Sequence, residues 1–197
     1  ILLGPLERPA LQWLAQRTPT WISPDGLTLI GLGASALVAL SLYLSVFSRN
    51  WLLLAMVGIV LNWYGDSLDG TVARFRHIER PRYGFFMDHA TDAVSSIFII
   101  GGMGVSPYFN FTIAMIGLVA WLCVNIVVHL TMISTGVFKI SMGRFGPTEF
   151  RVIGILALAI VYFLGTMPLP VKYAPYTWYD VGMILIALIL AGIFIQQ

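Results

Sequence analysis

The chain has 197 residues, of which 58% are hydrophobic and only 10% charged, and its mean hydropathy of +0.87 lies outside the range of an ordinary soluble domain. A net charge of +2 gives no basic surface for nucleic acid, and a lone cysteine, Cys123, excludes a disulfide framework or a cysteine metal site. What remains is an integral membrane protein.

The segment Leu2 to Arg17 mixes Leu3, Leu6, Leu11, Trp13 and Leu14 with Glu7, Arg8, Gln12, Gln16 and Arg17, and is too polar to span. It reads as an amphipathic helix lying at the membrane interface, against which Pro5 and Pro9 argue for a disordered tail. Ser23-Pro24-Asp25-Gly26 is turn chemistry that opens the first span. Six apolar stretches follow: Leu27 to Phe47, Trp51 to Arg74, Tyr83 to Val105, Phe111 to Ser134, Val152 to Met167 and Val181 to Ile195. Most approach or reach the roughly 20 residues a spanning helix needs. The polar, glycine-bearing stretch Thr135 to Phe150 reads as a loop or short surface helix. The expected fold is therefore all-α. An interfacial helix and turn occupy residues 1–26, and a six-span membrane domain occupies 27–197.

Nine of the eleven Lys and Arg fall on one side of this arrangement, leaving Arg49 and Lys172 on the other. The positive-inside rule places the nine, and both termini, in the cytoplasm, with the cell (inner) membrane as the expected location. On that same side lie four carboxylates, Asp66, Asp69, Asp88 and Asp92, spaced i, i+3 and then i, i+4. Either spacing puts a pair on one helix face. If the two helices are antiparallel and joined near Arg74 and Gly84, Asp66 and Asp92 sit at equal depth, roughly 12 Å from the joint, with Asp69 and Asp88 one level nearer to it. Each charge costs about 2.5–3.5 kcal/mol in a bilayer on insertion scales. A divalent cation would relieve both that cost and the mutual repulsion.

The run Asp66-x-x-Asp69-Gly70-x-x-Ala73-Arg74, a nine-residue link, then Gly84-x-x-x-Asp88-x-x-x-Asp92 resembles the signature of the CDP-alcohol phosphatidyltransferase family, with every specified position present. Pro24-Asp25-Gly26-Leu27-Thr28 is similar to a Pro-Asn-x-x-Thr start often seen at that family's first span, with Asp25 in place of the Asn. The resemblance implies six spans, a homodimer, and transfer of a phosphoalcohol group from a CDP-linked lipid or CDP-alcohol donor to an acceptor alcohol, with release of CMP and a need for Mg²⁺ or Mn²⁺. It implies metal ligation by Asp66, Asp69, Asp88 and Asp92, with Asp92 nearest the attacking hydroxyl as general base. Hard divalent ions take carboxylate oxygens, and a two-metal clamp suits a diphosphate. Gly70, Ala73 and Gly84 leave room for a nucleotide near the backbone, though small residues also serve helix packing. Arg74 can answer phosphate charge.

For the acceptor the sequence gives two signs. Lys139, Arg144 and Arg151 lie on the side of the carboxylates and suit a phosphate-bearing acceptor such as glycerol phosphate or inositol phosphate. Asp88-His89 instead faintly resembles the branch that transfers phosphocholine or phosphoethanolamine to diacylglycerol. Asn62, one turn from Asp66, either lines the pocket or bonds a neighbouring helix, and Asn125 and His129 pose the same choice on the fourth span. A divalent-ion transporter is the alternative of another class, but the outer half of the spans carries no comparable charge to complete a path across.

Overall fold

The computed structural model describes residues 3–135, 146–170 and 176–196. Among them the chain forms seven helices: α1 (Gly4–Arg17), α2 (Pro24–Leu44), α3 (Trp51–Phe75), α4 (Pro81–Val105), α5 (Phe111–Thr135), α6 (Pro147–Leu164) and α7 (Trp178–Gln196). Apart from an isolated bridge between Pro168 and Thr177, no strand pairing occurs among the described residues. Five helices, α2, α3, α5, α6 and α7, are long and apolar enough to cross a membrane, which makes this an integral, multi-pass membrane protein. At 25 residues α4 matches α3 in length, but Asp88, His89 and Asp92 lower its hydropathy.

The helix ends follow local chemistry. Ser23 Oγ accepts the Gly26 N–H at 3.0 Å and Pro24 sits in the first turn, so α2 starts three residues before its first apolar position. Glu149 Oε2 accepts the Gly146 N–H at 2.8 Å, with Pro147 next in line, so α6 begins inside the polar stretch that sequence alone reads as a loop or short surface helix. In α1 the prolines are tolerated. Pro5 lies in the first turn, and Pro9 removes only the bond to the Pro5 carbonyl.

Helix α2 packs against α3 and α4, α5 joins α4 to α7, and α6 and α1 pack on α3. The α2–α3 contact is backbone on backbone. A Cβ at Gly65 would lie 2.4 Å from the Gly31 nitrogen and 2.5 Å from the Leu27 carbonyl oxygen, so a small residue is required there. One core cluster joins Val38 and Leu42 to Leu52, Ala55 and Ile59, with Leu158 and Val161 from α6. A second joins Leu11 and Ala15 of α1 to Leu27, Leu68 and Val72, so α1 is docked onto the helices that carry the carboxylates. Outward, Ile153, Leu156, Ile160 and Phe163 of α6 and Leu185, Leu188, Ile189 and Ile195 of α7 are exposed, as suits a surface facing lipid.

At the end of the molecule where α4 meets α5, Asp180 is 1% exposed. Its Oδ1 accepts the Asn110 N–H at 2.7 Å and its Oδ2 accepts the Thr177 N–H at 2.7 Å. The Thr177 hydroxyl donates to the Tyr108 carbonyl at 2.8 Å. This carboxylate satisfies helix-end amides and ties α7 to the α4–α5 turn.

Candidate active site

The opposite end holds a cavity of about 600 Å³. Asp66, Asp69, Gly70, Ala73 and Arg74 from α3 and Gly84 and Asp88 from α4 line it together, as the two spacings require of antiparallel helices joined by a short link. Asp92 lies one turn along α4 from Asp88, within electrostatic reach of Asp66, Asp88 and Arg151. The potential ligand atoms of Asp88, His89 and Asp92 lie within 4.8 Å of one another.

Each carboxylate has a distinct setting. Thr28 of α2 donates its hydroxyl to Asp69 Oδ2 at 2.5 Å, and the Gly70 N–H donates to Asp69 Oδ1 at 2.5 Å. Arg151 of α6 donates from Nη2 to Asp66 Oδ2 at 2.5 Å and from Nε to Asn62 Oδ1 at 3.0 Å. Asn62 in turn donates to the Gly31 carbonyl at 3.0 Å. Asn62 therefore bonds a neighbouring helix, and it is buried rather than part of the cavity lining. Asp88 has His89 Nδ1 at 3.5 Å. Three carboxylates, one of them matched by a guanidinium, line one cavity from facing helices, and Asp92 lies beside Asp88. That donor set of hard oxygens fits Mg²⁺ or Mn²⁺.

The small residues differ in what they leave open. A Cβ at Gly84 would meet nothing within 4 Å, so the cavity wall is bare backbone at that point. At Gly70 a Cβ would come 3.3 Å from the Arg74 guanidinium, which lies over the glycine, and Arg74 Nη2 also donates to Thr71 Oγ1 at 3.2 Å. At the mouth, Arg80 Nη2 donates to both oxygens of Asp25 at 2.6 and 2.7 Å and its guanidinium stacks 4.2 Å above the Tyr83 ring. The Asp25 hydrogen bond raises the Arg80 pKa further above its ordinary value. Asp25 therefore has an ion-pair role, pinning the start of α2 to the start of α4.

The remaining candidates divide. Arg151 faces Asp66 and Asn62 rather than open space, with its side chain only 14% exposed. Lys139 and Arg144 lie outside the described residues. His129 stacks on His89 with ring centroids 3.9 Å apart, whereas Asn125 turns back to the Trp121 carbonyl at 2.8 Å, so the two do not act as a pair. Thr28 acquires its contact with Asp69 from the same start motif that contains Asp25. Arg76, counted in the sequence only as a topology charge, donates to the Ile22, Thr18 and Pro19 carbonyls at 2.6–3.0 Å, holding the α1–α2 link against the end of α3.

A family model described as CDP-alcohol phosphatidyltransferase matches residues 21–194. The chain is similar to cholinephosphotransferase 1 of Gallus gallus, 28% identical over 177 residues that cover 84% of this chain and 51% of that protein. It is similar also to cholinephosphotransferase 1 of Bos taurus, 31% identical over 82% of this chain and 41% of that protein. The chain thus spans about half the length of the curated relatives it matches. Among solved structures it is similar to the Mycobacterium tuberculosis phosphatidylinositol phosphate synthase with CDP-DAG bound. The TM-score is 0.66 at 21% identity, covering 95% of this chain and 89% of that one, a likeness of fold. With the signature spacing, the shared cavity and a family match over most of its length, the chain belongs to the CDP-alcohol phosphatidyltransferase family.

Proposed function

We propose that this protein transfers a phosphoalcohol group from a CDP-linked donor to the hydroxyl of an acceptor alcohol, releasing CMP, in phospholipid biosynthesis. The observation that carries this reading is the single cavity lined by Asp66, Asp69 and Asp88 together with Gly70, Ala73, Arg74 and Gly84. The acceptor oxygen forms a new bond to the donor phosphorus that bears the alcohol, and the bond from that phosphorus to the CMP oxygen breaks. The hydroxyl proton passes to Asp92 as general base. Asp66, Asp69, Asp88 and Asp92 would hold two divalent ions, Mg²⁺ or Mn²⁺, which supply charge neutralisation for the diphosphate. Gly84 admits the nucleotide to bare backbone and Arg74 pairs with phosphate. We read α4 as a sixth span, with α1 at the interface and the cavity facing the cytoplasm. The exposed Leu6, Trp13 and Trp21 support an interfacial α1, and the placing of Arg74, Arg80 and Arg82 about the cavity and the helix link beside it supports the orientation.

For the substrates we favour a CDP-aminoalcohol donor, of the CDP-choline kind, and an uncharged diacylglycerol acceptor. This is supported by the relatives at 28–31% identity, by Asp88-His89, and by Arg151 being bonded to Asp66 and Asn62. The second reading, a phosphatidyl donor with a phosphate-bearing acceptor such as glycerol phosphate or inositol phosphate, rests on the basic residues Lys139, Arg144 and Arg151 that follow the fourth apolar stretch in the sequence. Purified protein in lipid nanodiscs with Mg²⁺ separates them. CMP from CDP-choline and diacylglycerol supports the first. CMP only from CDP-diacylglycerol with glycerol 3-phosphate or inositol phosphate supports the second. Absence of CMP with every pair would overturn the transferase reading.

A further inference from the structure

Glu7 sits in the first turn of α1, where an amphipathic interfacial helix would turn a carboxylate to water. Instead its Oε1 accepts two hydrogen bonds from two other helices. The indole N–H of Trp63 on α3 donates at 2.8 Å and the hydroxyl of Thr148 on α6 donates at 2.6 Å. A second bond joins the same helices, from the Leu3 N–H of the α1 N-cap to Glu149 Oε1 at 2.8 Å. The level of this junction matters. Trp63 adjoins Asn62, and Thr148 is three residues, one helical turn, before Arg151. Arg151 leaves that turn to reach Asn62 Oδ1 and Asp66 Oδ2. The α3–α6 contact therefore has two rungs, one turn apart on α6. One is built around Glu7, and the other ends on a carboxylate of the cavity.

We propose that Glu7 is a positioning residue: by joining Trp63 to Thr148 it sets the first turn of α6 against α3, and so aims Arg151 at Asp66. The inference concerns this chain's own residues and, for its consequence at the cation, rests on the reading of Asp66 as a metal ligand. A partner that orients a ligating carboxylate commonly affects metal affinity by about 10–100-fold. Loss of the Glu7 rung would slacken Arg151 and leave Asp66 free to rotate.

Two measurements test it. Phenylglyoxal labels accessible arginines and needs neither metal nor substrate, and peptide mass spectrometry reads each site. Exposed Arg82 serves as the internal standard, and Arg76, held by three carbonyls, reports general loosening. In Glu7→Ala, Arg151 should label several-fold faster than in the wild type while Arg76 does not change. Glu7→Gln keeps an oxygen that can accept both bonds and should restore slow labelling. Thr148→Val, a milder change that carries the test if Glu7→Ala does not fold, should give an intermediate rate. Wild-type labelling of Arg151 in Glu7→Ala, or a rise matched at Arg76, would overturn the proposal. Mn²⁺ titration followed by electron paramagnetic resonance should then show binding weakened about 10-fold in Glu7→Ala. If Asp66→Ala itself leaves Mn²⁺ binding unchanged, the metal-ligand reading fails while the arginine labelling still decides the role of Glu7.

Discussion

The two ends of the bundle both hold carboxylates, buried at one end and half-buried at the other, and they use them in opposite ways. At the α4–α5 end, Asp180 has both oxygens accepting backbone N–H groups. At the α3–α4 end, four carboxylates crowd one region with few donors. Asp66 has Arg151, Asp69 has Thr28 and the Gly70 N–H, and Asp88 has a histidine nitrogen 3.5 Å away. A buried charge surrounded by fixed amides stabilises the fold that supplies them. A cluster of like charges short of donors destabilises the fold and is retained for what it binds.

Substitution should therefore have reversed consequences at the two ends. The largest effect is expected from Asp66→Ala, Asp69→Ala and Asp88→Ala, each of which should remove nearly all CMP release. Asp88→Ala should not lower the thermal midpoint in metal-free buffer, because it relieves repulsion, whereas Asp66→Ala also strands the Arg151 guanidinium and should lower it. A variant that folds and keeps wild-type turnover would remove that residue from the metal site. Next, Asp92→Asn should bind the CDP donor normally and transfer it about 10²–10⁴-fold more slowly, the usual loss when a general base is removed. A raised donor KM with unchanged kcat would make Asp92 a binding residue instead.

Asp180→Ala should behave as the mirror image. It strands the Asn110 and Thr177 amides, each at about 1–3 kcal/mol, so the unfolding midpoint should fall clearly while the kcat of the folded fraction stays near wild type. Equal damage to turnover and stability would erase the distinction between the ends. The smallest effect is expected at the rim. The Asp25–Arg80 pair is about half exposed on both sides and screened by solvent, so Arg80→Ala should leave the thermal midpoint almost unchanged. Its influence should be confined to the donor KM, where salt titration of wild type and variant would reveal it.

The carboxylate end was legible because its information is local. Helical spacing within Asp66 to Asp92 is enough to put the acids on facing sides and the glycines beside them. The five strongly apolar helices were legible for the same reason. What the sequence hid depends on contacts between distant parts of the chain. Arg151 carried the same charge whether it met a phosphate or Asp66, 85 residues away. Glu7 looked like one polar residue of a surface helix until α3 and α6 closed on it from 56 and 141 residues away. Asp180 stands just before an apolar run and carries no motif, and its partner amide at Asn110 is 70 residues distant. The start of α6 was missed because Thr148, Glu149 and Arg151 make a helix look like a loop when their polar partners are unknown. Asp25 illustrates the intermediate case, in which a motif position was visible but its partner, Arg80, was not.

The contrast between the ends is tested most directly by equilibrium Mn²⁺ binding to purified protein, read from the free-ion electron paramagnetic resonance signal. The account predicts two ions bound per chain in the wild type and in the folded fraction of Asp180→Ala, and a loss of this binding in Asp88→Ala and Asp69→Ala. Mn²⁺ binding that is unaltered in Asp88→Ala and Asp69→Ala, or that disappears only in Asp180→Ala, would contradict it.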